Sequence, residues 1–384
     1  MKKLLVLLAM ALILAGCGSG GTEQPSGTDD WATANGLYED ESMDDLYAKA
    51  KEEGALTIYT ISSRTQTIAE YFMEDYPGIT VDVKDISASD LKQQYVTEYE
   101  AGVRNVDILH SKEVTGDYIM ELFKDGSLHT YRPASIFGNV QGYEDYAPLM
   151  LELNVWFYNT EVYSEAPFTS LWALTTEEWR GRCVFQDPVE NVAYSAFLTA
   201  MCEHPDEMAA DYKAYFGEDI VLAEDEPDAS HAWIKRFIAN DPILADGSDE
   251  VIDLVSASGQ TNPPVGYASS VKLRGAIKDN LPIAMNADVI TPATGIPVVN
   301  FLAIADECPH PNAAKLFIKY WMGGEDGQGR GYEPLATAGS YSVRPENPSY
   351  EGNVPLSDIN LWEPDFNYIY ANVNDVVDYW TIHR

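Results

Sequence analysis

The sequence predicts an α/β protein of two lobes, each a mainly parallel sheet flanked by helices. Three observations carry this. Strand and helix patterns alternate from Ala55 to Lys124, and that rhythm builds parallel sheets with covering helices. About 355 residues follow the polar stretch ending at Asp30, more than one ordinary core accommodates. The chain is 46% hydrophobic and 11% aromatic, enough to fill two cores.

The elements follow in order. Ser42 to Glu53 reads as a short amphipathic helix capped by Ser42. Ala55 to Ile61 is rich in β-branched residues and reads as a strand, broken by Ser62-Ser63-Arg64. Ile68, Phe72 and Tyr76 recur at helical spacing in the helix Thr65–Tyr76, which Pro77-Gly78 ends. Ile79 to Val83 alternates as a second strand, and Ser89-Asp90 caps a helix running to Tyr99. Asn105 to Leu109 is a third strand with His110 and Ser111 at its end, followed by a helix from Lys112 to Lys124.

The middle of the chain is looser. Strands are expected at Leu151–Tyr158, Cys183–Phe185, Pro264–Tyr267, Pro282–Met285 and Ile296–Ala305. Helical stretches are expected at Trp172–Trp179, Asn191–Cys202, Ser230–Asn240, from Ser270 to Lys278, and Asn312–Trp321. The aromatic and acidic segment from Tyr350 to Arg384 is expected to pack on the first lobe, with a helix after Asn372.

The first residues form an export signal: Met1-Lys2-Lys3, an apolar run to Leu14, then small residues. The run is too short for a bilayer-spanning helix, which needs ~20 residues. Leu14-Ala15-Gly16-Cys17 resembles the bacterial lipobox, implying removal of residues 1–16 and diacylation of Cys17, which would anchor the chain in the membrane. Residues 17–36 are then the acylated cysteine and a flexible tether. Cys183, Cys202 and Cys308 remain without a CxxC pair; buried free thiols fit them better than a Cys183–Cys202 bridge.

Lys and Arg total 24 against 61 Asp and Glu, so nucleic-acid binding is excluded. Neither Gly-x-Ser-x-Gly nor His-Glu-x-x-His occurs, and the glycines from Gly323 to Gly331 lack phosphate-loop spacing, so an enzyme is not the expected class.

In open α/β sheets ligands sit beyond the carboxyl ends of strands. Those ends carry Ser62, Ser63, Arg64, His110 and Ser111 in the first lobe and Gln186, Asp187, Asn191 and Tyr194 in the second. Tyr267, Ser269 and Ser270 close the second-lobe side, and Thr291 and Thr294 flank the return crossover. Ser62, Ser63 and Arg64 at a helix start suit an anion such as a phosphate, phosphonate or carboxylate. Helix capping by a serine and surface pairing of Arg64 is the plainer alternative.

These segments resemble type II solute-binding proteins of ABC importers, in the ferric-iron, phosphonate and polyamine-like branch. Leu56–Ile61 with Ser62-Ser63-Arg64 resembles their opening strand, and Val155 to Thr160 their crossover. Trp172-Ala173-Leu174, Trp179-Arg180-Gly181, Cys183 to Pro188, Gly266 to Ser270 and Cys308 to Phe317 follow in the family's order. The resemblance implies two lobes joined by a hinge: 37–151 with 294–384, and 152–293. It also implies a small solute captured in the cleft, delivery to an ABC permease, no cofactor, and a monomer on the extracytoplasmic face of the membrane. Ferric-binding relatives bring adjacent tyrosines, and this chain has no Tyr-Tyr pair. An anionic organic solute is therefore the first expectation, with ferric iron, carried by Tyr194, Tyr267 and His110, and a polyamine left open. A solute-sensing lipoprotein would share the cleft.

Overall fold

The computed structural model describes residues 27–384, with side chains from Trp31 onward. The expected signal peptide, Cys17 and the start of the tether lie outside these residues. Helix α1 (Gly27–Ala34) lies within the stretch expected as tether. That expectation is corrected for its last part: Trp31 stacks on His129 at 5.3 Å and Ala32 is buried, so apolar side chains tie the segment to the first lobe.

Helix α2 (Met43–Glu53) starts where Ser42 Oγ accepts the Asp45 N–H at 3.1 Å and stops at Gly54, whose φ of 72° suits a residue without Cβ. Strand β1 (Ala55–Thr60), helix α3 (Arg64–Asp75), strand β2 (Thr80–Asp85), helix α4 (Ala88–Glu100) and strand β3 (Ile108–Glu113) follow. Strand β1 pairs in parallel with both β2 and β3. Ser87, not Ser89, caps α4, accepting the Asp90 N–H at 3.3 Å. Strand β3 runs on to Glu113, so the helix expected from Lys112 is reduced to one π-helical turn at Ile119–Phe123. Pairing decides this: residues 108–113 lie in register against a later strand, which propensity alone does not reveal.

After β4 (Leu128–His129) and α5 (Ala134–Phe137) comes β5 (Ala147–Asn159), which crosses into the second lobe. Two 3₁₀ turns occupy Leu171–Thr175 and Glu177–Trp179. Then come β6 (Cys183–Gln186), α6 (Val192–Glu203), α7 (Pro205–Phe216), α8 (Ala229–Ile238), β7 (Ile243–Ala245), α9 (Ser248–Ser256), β8 (Val265–Ser269), α10 (Leu273–Lys278) and β9 (Ile283–Asn286). Helices α7 and α9 and strand β7 were not legible in the sequence. The chain returns through β10 (Pro297–Ala305), then α11 (Pro311–Trp321), β11 (Ser340–Ser342) and α12 (Phe366–His383).

The strand order is β2-β1-β3-β10-β5-β8-β6-β7. Each lobe keeps a parallel trio, β2-β1-β3 and β8-β6-β7, while β5 and β10 run antiparallel between them. Leu46, Ile58, Phe72, Leu109 and Phe317 belong to the first core. The second is aromatic, with Trp156, Phe185, Phe197, Trp233, Phe237 and Tyr267.

The C-terminal expectation is also corrected. Helix α12 packs on α6 and α8 of the second lobe, with Trp380 against the rings of Phe185 and Phe237. Ile369, Val376 and Trp380 are its buried residues, and they belong to the second core rather than the first. Cys183, Cys202 and Cys308 are buried free thiols. Among the described residues no helix is long and apolar enough to cross a membrane.

Gly295 sits where the chain turns back toward the first lobe. A Cβ there would lie 2.0 Å from the Asn154 carbonyl oxygen and 2.7 Å from Tyr267 Oη. The neighbouring backbone cannot yield cheaply, so Gly295→Ala is expected to cost about 1–3 kcal/mol. Equilibrium denaturation measures this, and an unchanged midpoint would show that the crossover is loose.

Candidate functional site

A cleft of about 400 Å³ opens between the lobes, lined from the first lobe by Ser62, Ser63, Arg64, His110, Lys112 and Asn300 and from the second by Val271 and Arg274. Glu152 lines it from β5. A second hollow of about 360 Å³ shares Ala88 and Lys112 with it, and Ser111, Tyr118, Glu190 and Asn191 lie on its walls. The two cavities adjoin at these shared residues, and the cleft between the lobes is the more basic of them.

Its basic side chains are its main chemical feature. Arg64, Lys112 and Arg274 make no side-chain hydrogen bond or ion pair among the described residues. Most other described lysines and arginines have such a partner, as expected in a chain of net charge −37. Burial lowers the Arg64 pKa, and repulsion from Arg274 adds to this while Glu152 opposes it. Arg64 stays charged regardless, because a guanidinium does not lose its proton in a protein.

Ser63 occupies the position before α3 but makes no capping bond, so the plainer reading of these serines is not realised there. Helix α3 begins at Arg64; the Thr65 N–H donates to the Ser62 carbonyl at 3.0 Å, and the other first-turn amides are of the kind a helix start leaves for an anion. The Ser62 N–H donates to Thr60 Oγ1 at 3.1 Å, which holds the turn.

His110 lies within β3 rather than at its end, and it is buried. Its Nδ1 lies 2.8 Å from Thr60 Oγ1, while Nε2 has no partner; Asn300 is nearby but outside hydrogen-bond geometry. Burial drives its pKa down to about 3. His110 is thus neutral in the folded state. On acidification the unfolded chain takes up a proton that the folded chain refuses, so stability falls from about pH 6.5 downward.

The structure separates the other candidates. Ser111 Oγ donates to Tyr118 Oη at 2.8 Å in the second hollow. Asn191 caps α6, its Oδ1 accepting the Ala193 N–H at 3.0 Å, and its Nδ2 donates to Gln186 Oε1 at 2.7 Å. Gln186 also donates to Tyr194 Oη at 2.8 Å, so its amide is spent internally. Asp187 pairs with Arg384 in a separate hollow shared with Gln186 and Asn191. Ser269 Oγ donates to Glu152 Oε2 at 3.1 Å at the cleft wall. Ser270 is fully buried, accepting the Leu153 N–H at 3.0 Å and donating to the Gly339 carbonyl.

Four expectations are corrected outright. Tyr194 and Tyr267 stand in the aromatic core against Phe185, with ring centroids 4.6 and 5.6 Å away, and Tyr194 Oη donates to the Tyr267 carbonyl. Burial pushes both phenols far above their ordinary value, and both side chains fill the core rather than line the cleft. Thr291 Oγ1 donates to Asp211 at 2.6 Å and Thr294 Oγ1 to the Asn286 carbonyl at 3.0 Å, fastening the crossover rather than facing the cleft.

Sequence reading missed Lys112, Glu152, Arg274 and Asn300. Lys112 lies two residues beyond His110, hence on the same strand face. Glu152 and Asn300 interrupt otherwise apolar strands, a usable signal. Arg274 left none. Among the described residues no group of three or more His, Cys, Asp or Glu converges as a metal site.

No family model matches the chain, and no curated protein sequence does. Solved structures match in fold. Iron-bound HitA from Pseudomonas aeruginosa is similar with a TM-score of 0.62 at 17% identity, over 86% of this chain and 99% of its own. IdiA (FutA) from Trichodesmium, in complex with iron and citrate, gives 0.62 at 14%, over 86% and 99%. Apo ferric ion-binding protein A from Pasteurella haemolytica gives 0.61 at 14%, over 86% and 98%. The fold is thus the two-lobed one of periplasmic ferric-iron-binding proteins, as the sequence resemblance implied.

Two outcomes test these assignments. The His110 ring signals in NMR are expected to stay at neutral-imidazole positions from about pH 8 to 5; titration near the free value would place the ring in solvent. Tyr267→Phe is expected to keep ligand affinity and not to lower stability, because its buried hydroxyl has no partner in hydrogen-bond geometry, the Ile296 backbone being nearby but outside it. Lost affinity would return Tyr267 to the site.

Proposed function

We propose that this chain captures a small anionic organic solute, a phosphonate, sugar phosphate or carboxylate, between its lobes. We further propose that it delivers the solute to an ABC permease, acting at the extracytoplasmic face of a membrane through a lipid anchor on Cys17. One observation carries the reading: Arg64, Lys112 and Arg274 line one cleft with no acid paired to any of them. Holding three unpaired cations together, with Glu152 the one acid lining the same cleft, costs Coulomb energy in the free protein, and an anion relieves it. Ser62, Ser63 and the start of α3 add uncharged donors suited to phosphoryl or carboxylate oxygens.

The lobes share the work. Arg64 and Lys112 belong to the first and Arg274 to the second. An anion between them attracts both, so a bound solute favours the closed arrangement, the differential interaction that a hinge transition requires.

A second reading, ferric iron as cargo, draws on the fold neighbours that hold iron. Bare ferric ion meets three like charges here, and both candidate tyrosines lie in the core. Iron carried with an anionic chelator suits the cleft better, and one neighbour is described with iron and citrate. A polyamine meets the same repulsion, and Asp187, its candidate partner, is paired with Arg384.

Isothermal titration with phosphonates, sugar phosphates, citrate, ferric citrate, ferric ion and spermidine distinguishes these. One of the metal-free anions is expected to bind, more weakly as salt rises. Arg64→Ala and Arg274→Ala should each weaken it about tenfold or more, the loss of a charge-assisted hydrogen bond of about 1.5–3 kcal/mol. Unchanged affinity in both variants discards the clamp. Binding of ferric ion alone, with no response to any anion, installs the second reading.

A further inference from the structure

Glu152 is the one acid among the residues lining the cleft with the three cations. It lies on β5, flanked by buried Leu151 and Leu153. Its Oε2 accepts from Ser269 of β8 at 3.1 Å and its Oε1 from Asn300 of β10 at 3.3 Å. Both donors are neutral. Among the described residues no Lys or Arg comes within 4.0 Å of it, the limit for an ion pair, although three line the same cleft.

A carboxylate offers about four acceptor sites, and two protein donors leave others open. Ser269 and Asn300 also hold the group from both lobes, so it does not swing onto an arginine. A structural bridge between β8 and β10 needs no charge: a glutamine carbonyl would accept from the same donors without the cost of desolvating an ion. The arrangement keeps one fixed negative and three positive charges apart within a single cleft, which is complementary to a molecule bearing both signs.

We infer that Glu152 recognises a protonated amine, and that the solute is therefore an anion carrying an ammonium group. This rests on the anion-capture reading and narrows it to the amine-bearing members of those classes. Glu152 is then the residue that sets specificity, while Arg64, Lys112 and Arg274 supply the attraction.

The test is calorimetric titration of the purified full chain with three matched probes: O-phosphoethanolamine, 2-hydroxyethyl phosphate and ethyl phosphate. The amine is expected to bind about tenfold or more tighter than either of the others. In Glu152→Gln that preference should collapse and ethyl phosphate should bind more tightly, because a repelling carboxylate is gone. Arg64→Ala should weaken all three probes together. Ethyl or hydroxyethyl phosphate matching the amine on the unmodified protein overturns the inference and leaves anion capture standing. So does a preference that persists in Glu152→Gln. No binding of any probe overturns the inference, and the titrations with phosphonates, sugar phosphates and citrate then decide anion capture by themselves. If Glu152→Gln lacks a cooperative thermal transition, the ranking on the unmodified protein decides alone.

Discussion

One strand belongs to two sheets, and the cleft depends on it. Residues 147–153 of β5 pair with β10, while residues 154–157 pair with β8 in the second lobe. Backbone hydrogen bonds leave little freedom along a strand, so the lobes are fixed in register at this line. Gly295 lets the returning chain approach β5 closely at the same place. Glu152 lies one residue before Leu153, where pairing passes from one sheet to the other, and so faces the space between the lobes.

Charge is organised against the background of the molecule. A strongly acidic chain spends most of its lysines and arginines on ion pairs, such as Lys315 with Glu41 and Lys319 with Asp40. The cleft trio departs from that pattern, and charges held without partners cost energy that a structural role would not demand. The anion preference proposed for the cleft rests on this unpaired set more than on any one residue.

The two tyrosines illustrate how fold and ligand separate. The fold neighbours include iron-bound proteins, yet Tyr194 and Tyr267 here are packing residues: Tyr194 meets Phe185 edge-on, and Tyr267 stacks on Phe185 and tilts against Trp156 and Phe197. Buried phenols with far-raised pKa values serve a core, while His110 stays neutral for the same reason, burial. A shared fold transfers the cleft's position but not the chemistry of its lining.

The sequence by itself determined the alternation of strand and helix, the two-lobed α/β class and the strand end that carries Ser62, Ser63 and Arg64. Ser62, Ser63 and Arg64 were legible because a strand ending at a helix start is a local pattern, and local patterns follow from adjacent residues. The packing of α12 on the second lobe, the length of β3, and the convergence of Lys112, Glu152, Arg274 and Asn300 were decided by tertiary structure. These residues come from α10, β3, β5 and β10, far apart in the chain. Whether each side chain meets solvent, core or cleft depends on register and packing between such elements, and Tyr267 reads identically in sequence whether it lines a site or fills a core.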